Sequence, residues 1–108
     1  MTEISGVRYA EKVVVHVDPD LMDLIPGFLE NRRNDVRVLQ EALSQGDSEC
    51  IRKLGHQMKG VGGGYGFDAI TDLGRALEQA GKVRDFETAG NVIRELADYL
   101  ENVEVAHE

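Results

Sequence analysis

Four stretches of apolar residues at three- and four-residue spacing, separated by glycines and capping residues, are the strongest constraint this sequence places on its fold. At about 100° per residue, each stretch draws its apolar side chains onto one stripe of a helix, which is stable only when another surface covers it. The first begins at Asp18-Pro19, a capping residue followed by proline at the first helical position. It continues through Leu21, Leu24, Ile25, Phe28, Leu29, Val36, Leu39 and Leu43, with Pro26 expected to kink or divide it near its start and Gly46 to close it. Asp47-Ser48 caps the second, whose stripe is Ile51, Leu54, Met58, Val61 and Tyr65. The third is expected from about Phe67 to Ala80, with Phe67, Ile70, Leu73, Leu77 and Ala80 inward and Gly81 as its stop. The fourth starts near Asp85 and presents Phe86, Ala89, Ile93, Leu96, Ala97, Leu100 and Val103. Four such helices joined by short connections predict an all-α chain folded as an antiparallel up-down four-helix bundle. Ahead of them, Val13-Val-Val-His-Val17 is β-branched but has no evident strand partner. It is expected to lie as an extended segment on its own bundle, leaving the chain a monomer.

Charge and length narrow what such a bundle can do. With 108 residues there is room for one core and little more. A net charge of −8, from 20 acidic and 12 basic residues, argues against a nucleic-acid backbone as the main partner, because phosphate neutralisation needs a broad basic surface. No apolar run approaches the roughly 20 residues of a membrane span, and Met1-Thr-Glu-Ile-Ser5 lacks a basic region followed by an apolar one, so a cytoplasmic address is expected. The single cysteine, Cys50, has no second thiol to pair with and no histidine at metal-ligand spacing, and reads as a small helix residue. No metal site is expected. His16 and His107 have no setting that suggests a role.

His56 is different. Its rotation about the second helix is almost opposite to the apolar stripe, which directs it to solvent, and the same rotation brings Arg52, Lys53 and Lys59 to its side together with Gly60, Gly63 and Gly64. A histidine among cations, on a surface stripped of bulk, suits close approach by a partner. The glycines conflict with helix propensity, each by about 1 kcal/mol relative to alanine, so Gly60, Gly62, Gly63, Gly64 and Gly66 either form a flexible loop or lie in a helix held by packing. The second reading is favoured, because Val61 and Tyr65 preserve the apolar stripe through the run. Gly64-Tyr-Gly66-Phe-Asp-Ala69 also satisfies a G-x-G-x-x-A pattern, but no strand precedes it and no βαβ unit is available, so a dinucleotide cradle is rejected. The cluster has no serine or cysteine nucleophile elbow and cannot be read as a hydrolase site.

His56-Gln-Met58-Lys59-Gly60, followed by Gly62, Tyr65 and Gly66 and then by Leu73-Gly-Arg-Ala-Leu77-Glu78-Gln-Ala80, resembles the signature of histidine-containing phosphotransfer (HPt) domains. The resemblance runs from about Asp18 to Val103, with Met58 where leucine or isoleucine is common and three consecutive glycines where alanine and serine usually mix. It implies an HPt-like bundle over residues 18–104, preceded by an N-terminal extension over 1–17 and followed by a tail over 105–108. It also implies a phosphorelay intermediate: His56 would accept a phosphoryl group from the aspartyl phosphate of a receiver domain and pass it to another. The partners would be response-regulator receiver domains or a hybrid histidine kinase, with magnesium supplied at the receiver's acidic site. By the same resemblance Lys59 would attract the phosphoryl oxygens, Gly60 would admit the receiver's loops, and Glu78 would hold the other ring nitrogen. Glu78 falls at the edge of the third apolar face, within reach of an antiparallel neighbour. No ATP-binding motif is present, so the chain would be neither kinase nor hydrolase. The competing expectation is a helical adaptor module of the same fold that carries no phosphate.

Overall fold

All four expected helices form in a computed structural model that describes residues 13–107. The remainder of the N-terminal extension, residues 1–12, and Glu108 lie outside the described residues. Asp18 accepts the backbone N–H of Asp20 at 2.9 Å and opens a 3-10 helix, Pro19–Leu24. Pro26 sits in the first turn of the helix that follows, α1 (Ile25–Gln45), where a missing N–H leaves no bond unmade. The proline therefore divides the segment as expected. Leu24, expected inward, is 52% exposed, because the tighter 3-10 winding ahead of α1 breaks the 100° phase that the stripe assumed.

Gly46 closes α1 in the left-handed conformation (φ 69°), and the Asp47 N–H bonds the Ala42 carbonyl at 2.9 Å. The Asp47 side chain then accepts the Cys50 N–H at 3.1 Å and starts α2 (Ser48–Gly62). A 3-10 turn, Gly63–Tyr65, extends α2 to Gly66, whose φ of 90° requires glycine. The helix thus runs through most of the glycines. The stripe shifts within it: Val61, expected inward, is 37% exposed, and Gly62 takes the buried place because α2 packs there backbone to backbone.

Helix α3 (Asp68–Val83) extends past its expected end. Gly81 is a buried interior residue and not a stop: a Cβ on it would lie 2.6 Å from the Arg52 backbone nitrogen and 2.9 Å from the Ser48 carbonyl oxygen. The stop is Arg84, left-handed at φ 58°, a conformation that costs a non-glycine residue about 1 kcal/mol. Tertiary contacts hold it there: its guanidinium donates to Ser48 Oγ at 2.8 Å and lies 5.4 Å from the centre of the Phe86 ring. Asp85 caps α4 (Phe86–Asn102), accepting the Thr88 N–H and hydroxyl.

Two strands complete the fold and correct the reading of both ends. β1 (Val13–Val17) pairs in parallel with β2 (Val103–His107), in register from Val13 opposite Val103 to Val17 opposite His107. The extended segment therefore has a partner, and residues 103–107 are a strand and not a helix end and tail. Val103 and Val105 alternate with exposed Glu104, a period-two pattern that begins directly where α4 ends, with no turn between them. Val13, Val15, Val17, Val103 and Val105 pack on the helical core. That core is centred on Leu39, Ile51, Met58, Phe67, Ile70, Leu77 and Leu96, with α3 against α4, α4 against α1, α1 against α2, and α2 most intimately against α3.

Two alanine substitutions test this packing. Gly81→Ala should lower stability by roughly 1–3 kcal/mol, since its Cβ meets unyielding backbone. Gly60→Ala meets nothing within 4 Å and should raise it by about 0.5–1 kcal/mol through helix propensity alone. Urea denaturation midpoints check both signs, and a neutral or stabilising Gly81→Ala would contradict the assigned contact.

Candidate functional site

The phase of α2 that buries Ile51, Gly55 and Met58 turns His56 outward, and its side chain is 63% exposed. From α3, the phase that buries Leu73, Leu77 and Ala80 sets Glu78 on the margin facing α2, where it is only 13% exposed. One carboxylate oxygen of Glu78, Oε2, lies 3.0 Å from His56 Nδ1, and the other, Oε1, lies 2.7 Å from Lys59 Nζ. Lys59 follows His56 by less than one helical turn, so the carboxylate bridges two neighbours on α2 from a single position on α3.

The lysine decides the protonation of the group. Its hydrogen bond is the largest influence on Glu78, with that of His56 second, and together they pull the carboxyl from the ordinary 4.5 down to about 2. Glu78 is therefore an anion throughout the neutral range and can only accept. The proton in the His56–Glu78 bond must sit on Nδ1, so in the neutral form of the ring the lone pair is on Nε2, on a side chain open to solvent. The bond thus selects between the two tautomers of a neutral imidazole.

The other expected residues divide into two groups. Gly60 and Gly64 are exposed, and a side chain on either would meet nothing within 4 Å, so this part of the surface is open. Gly63 is exposed too, with the Thr71 hydroxyl 3.5 Å from where its Cβ would lie. Arg52 is engaged by Glu49, Nε to Oε1 at 3.1 Å, and its backbone seats Gly81. Lys53 lies on the opposite flank from Glu78, lining a groove of about 380 Å³ between α1 and α2 with Val38, Leu54 and Gln57. Of the three cations expected beside His56, Lys59 is the one bonded to Glu78, while Arg52 is paired with Glu49 and Lys53 lines the groove. Cys50 also borders that groove, and burial pushes its thiol up, which makes it a poor nucleophile. Among the described residues no group of three or more His, Cys, Asp or Glu could hold a metal ion, and no helix is long and apolar enough to cross a membrane.

Sequence reasoning missed Gly55 and Gly74, which meet at the contact between α2 and α3. The available signal was a repeat: Gly55 and Gly62 on α2, and Gly74 and Gly81 on α3, are each spaced seven residues apart, the period that returns a residue to the same helix face. Thr71 was missed as well; its hydroxyl donates to the Lys59 carbonyl at 3.3 Å.

The helices thus hold a carboxylate-braced imidazole, that of His56, at their surface. Comparison with known families places it further: the Hpt domain model matches residues 23–106, and the chain belongs to the Hpt domain family. Members of this family are phosphotransfer modules of phosphorelay signalling and not kinases. No curated protein and no solved structure matched the chain.

The bridge makes stability depend on acid pH. Glu78 titrates lower in the folded chain than in the unfolded one, so its contribution is complete above about pH 4.5 and is lost as the pH falls towards 2. Wild type should therefore lose stability over that window more steeply than Glu78→Gln, as read from urea midpoints at successive pH values. Parallel profiles would show that the bridge adds nothing to the fold.

Proposed function

We propose that this chain is a phosphorelay intermediate in which Nε2 of His56 takes a phosphoryl group from the aspartyl phosphate of a receiver domain and hands it to the aspartate of another. The observation that carries the reading is the exposed His56 ring with Nδ1 tied to an anionic Glu78, in a chain of the Hpt family. In the forward step the Nε2 lone pair forms the N–P bond while the P–O bond to the receiver's aspartate breaks, and that aspartate leaves as a carboxylate. The phosphorylated ring, still protonated at Nδ1, carries positive charge, and Glu78 lies against that proton. In the return step a second receiver's aspartate attacks phosphorus, the N–P bond breaks, and the imidazole is regenerated neutral.

Lys59, held beside the ring by Glu78, supplies a cation for the phosphoryl oxygens during transfer. Gly60, Gly63 and Gly64 leave room for the receiver's loops, and Arg52 and Lys53 border the approach. Magnesium belongs to the receiver, since Glu78, the carboxylate bonded to His56, is already shared between a ring N–H and an ammonium group. The same reading takes the four helices as an antiparallel up-down bundle, consistent with two-residue connections such as Gly46-Asp47. It also takes the protein as a cytoplasmic monomer whose partners are response-regulator receivers or a hybrid histidine kinase.

Incubating the purified protein with phosphorylated receiver domains and magnesium tests the proposal. Acid-labile, base-stable phosphate is expected on wild type and is expected to be lost entirely from His56→Gln. No label from any competent donor would overturn it and favour an adaptor with the same fold.

A further inference from the structure

The bridge at His56 depends on how closely α2 and α3 approach, and two glycines lie at the centre of that approach. Gly55 immediately precedes His56, and Gly74 lies one turn before Glu78 on the same α3 face. A Cβ built on Gly55 would fall on the backbone nitrogen of Glu78 and 2.7 Å from the Gly74 carbonyl oxygen. A Cβ on Gly74 would lie 2.5 Å from the Lys59 backbone nitrogen and 2.7 Å from the Gly55 carbonyl oxygen. Each glycine therefore meets the backbone of a residue in the bridge contributed by the other helix. None of these atoms can swing aside, because all are main chain inside helices.

We infer that Gly55 and Gly74 are positioning residues for phosphotransfer, setting the α2–α3 separation at which the Glu78 side chain reaches both His56 Nδ1 and Lys59 Nζ. Ordinary van der Waals contact begins at 3.4 Å, so a methyl group at either position forces the helices apart by roughly 1 Å. A His56–Glu78 distance of 3.0 Å then stretches beyond hydrogen-bonding range. The ring loses the acceptor that fixes its proton on Nδ1, and a neutral imidazole without that acceptor redistributes its proton onto Nε2, the nitrogen that must attack. The inference rests on the phosphorelay reading for its consequence but not for its geometry.

The test compares Gly55→Ala, Glu78→Asp and Gly62→Ala by nitrogen NMR of the His56 ring and by phosphotransfer rate. Glu78→Asp keeps the charge and leaves the helix contact alone but shortens the reach by one methylene. Gly62→Ala strikes backbone just as tightly, 2.7 Å from the Thr71 nitrogen, but more than one turn away from His56, and serves as a control of similar packing strain. Gly55→Ala and Glu78→Asp should both lose the Nδ1–H preference and slow transfer roughly tenfold to a hundredfold, the usual range for a misplacement near 1 Å. Gly62→Ala should lose stability while keeping the wild-type ring tautomer. A folded Gly55→Ala with the wild-type tautomer, or a wild-type tautomer in Glu78→Asp, would overturn the inference; should Gly55→Ala fail to fold, Glu78→Asp decides it. Because the ring spectrum is read without phosphate, a chain that takes no label in any form defeats the phosphorelay reading while leaving the geometric result to stand on its own.

Discussion

Backbone packed on backbone between α2 and α3 is the constraint on which the rest of this structure depends. Gly55, Gly62, Gly74 and Gly81 set backbone against backbone along the seam, and at Gly55 and Gly74, beside the site, the two helices approach more closely than a larger residue would allow. That closeness lets a side chain as short as glutamate cross from α3 and engage two residues of α2 at once. The remaining pairs of neighbouring helices meet through the aliphatic and aromatic side chains of the core.

The seam also explains how α2 tolerates so many residues that disfavour helix. Each glycine weakens an isolated helix by about 1 kcal/mol, a loss that only tertiary contact can offset. At Gly62 the contact is with α3, and beyond it Tyr65 packs at a tilt on Phe28 with ring centres 4.5 Å apart, while Phe67 stacks on Phe28 at 5.2 Å. The glycines at Gly60 and Gly64 have no such contact and leave an open surface beside His56. One run of glycine thus contains two kinds: those that let a helix approach, and those that keep a surface clear.

This mixture shows why some of the fold was legible in the sequence and some was not. Asp18, Pro26, Gly46, Asp47 and Asp85 act on the residues next to them, so their capping and breaking roles could be read locally and are found in place. Gly81 carries the same letter as a stop but is a contact residue, a difference that depends on Arg52 nearly 30 positions away. The β1–β2 pairing joins the two ends of the described chain and leaves only a faint alternation at Val103 and Val105. At the site, helical rotation was enough to expose His56, and the reach of Glu78 followed from rotation together with the family resemblance. The capture of Lys59 by that carboxylate, and the pairing of Arg52 with Glu49, depend on side-chain geometry that periodicity does not contain.

In the proposed relay, a proton held on Nδ1 of His56 directs the phosphoryl group to Nε2. The measurement that bears most directly on the account is therefore phosphorus–nitrogen coupling in isotopically labelled protein after phosphorylation by a receiver domain. Coupling to Nε2 of His56, with the Nδ1 proton still present and bonded to Glu78, is the expected result. Phosphate on Nδ1, or on any residue other than His56, would contradict it.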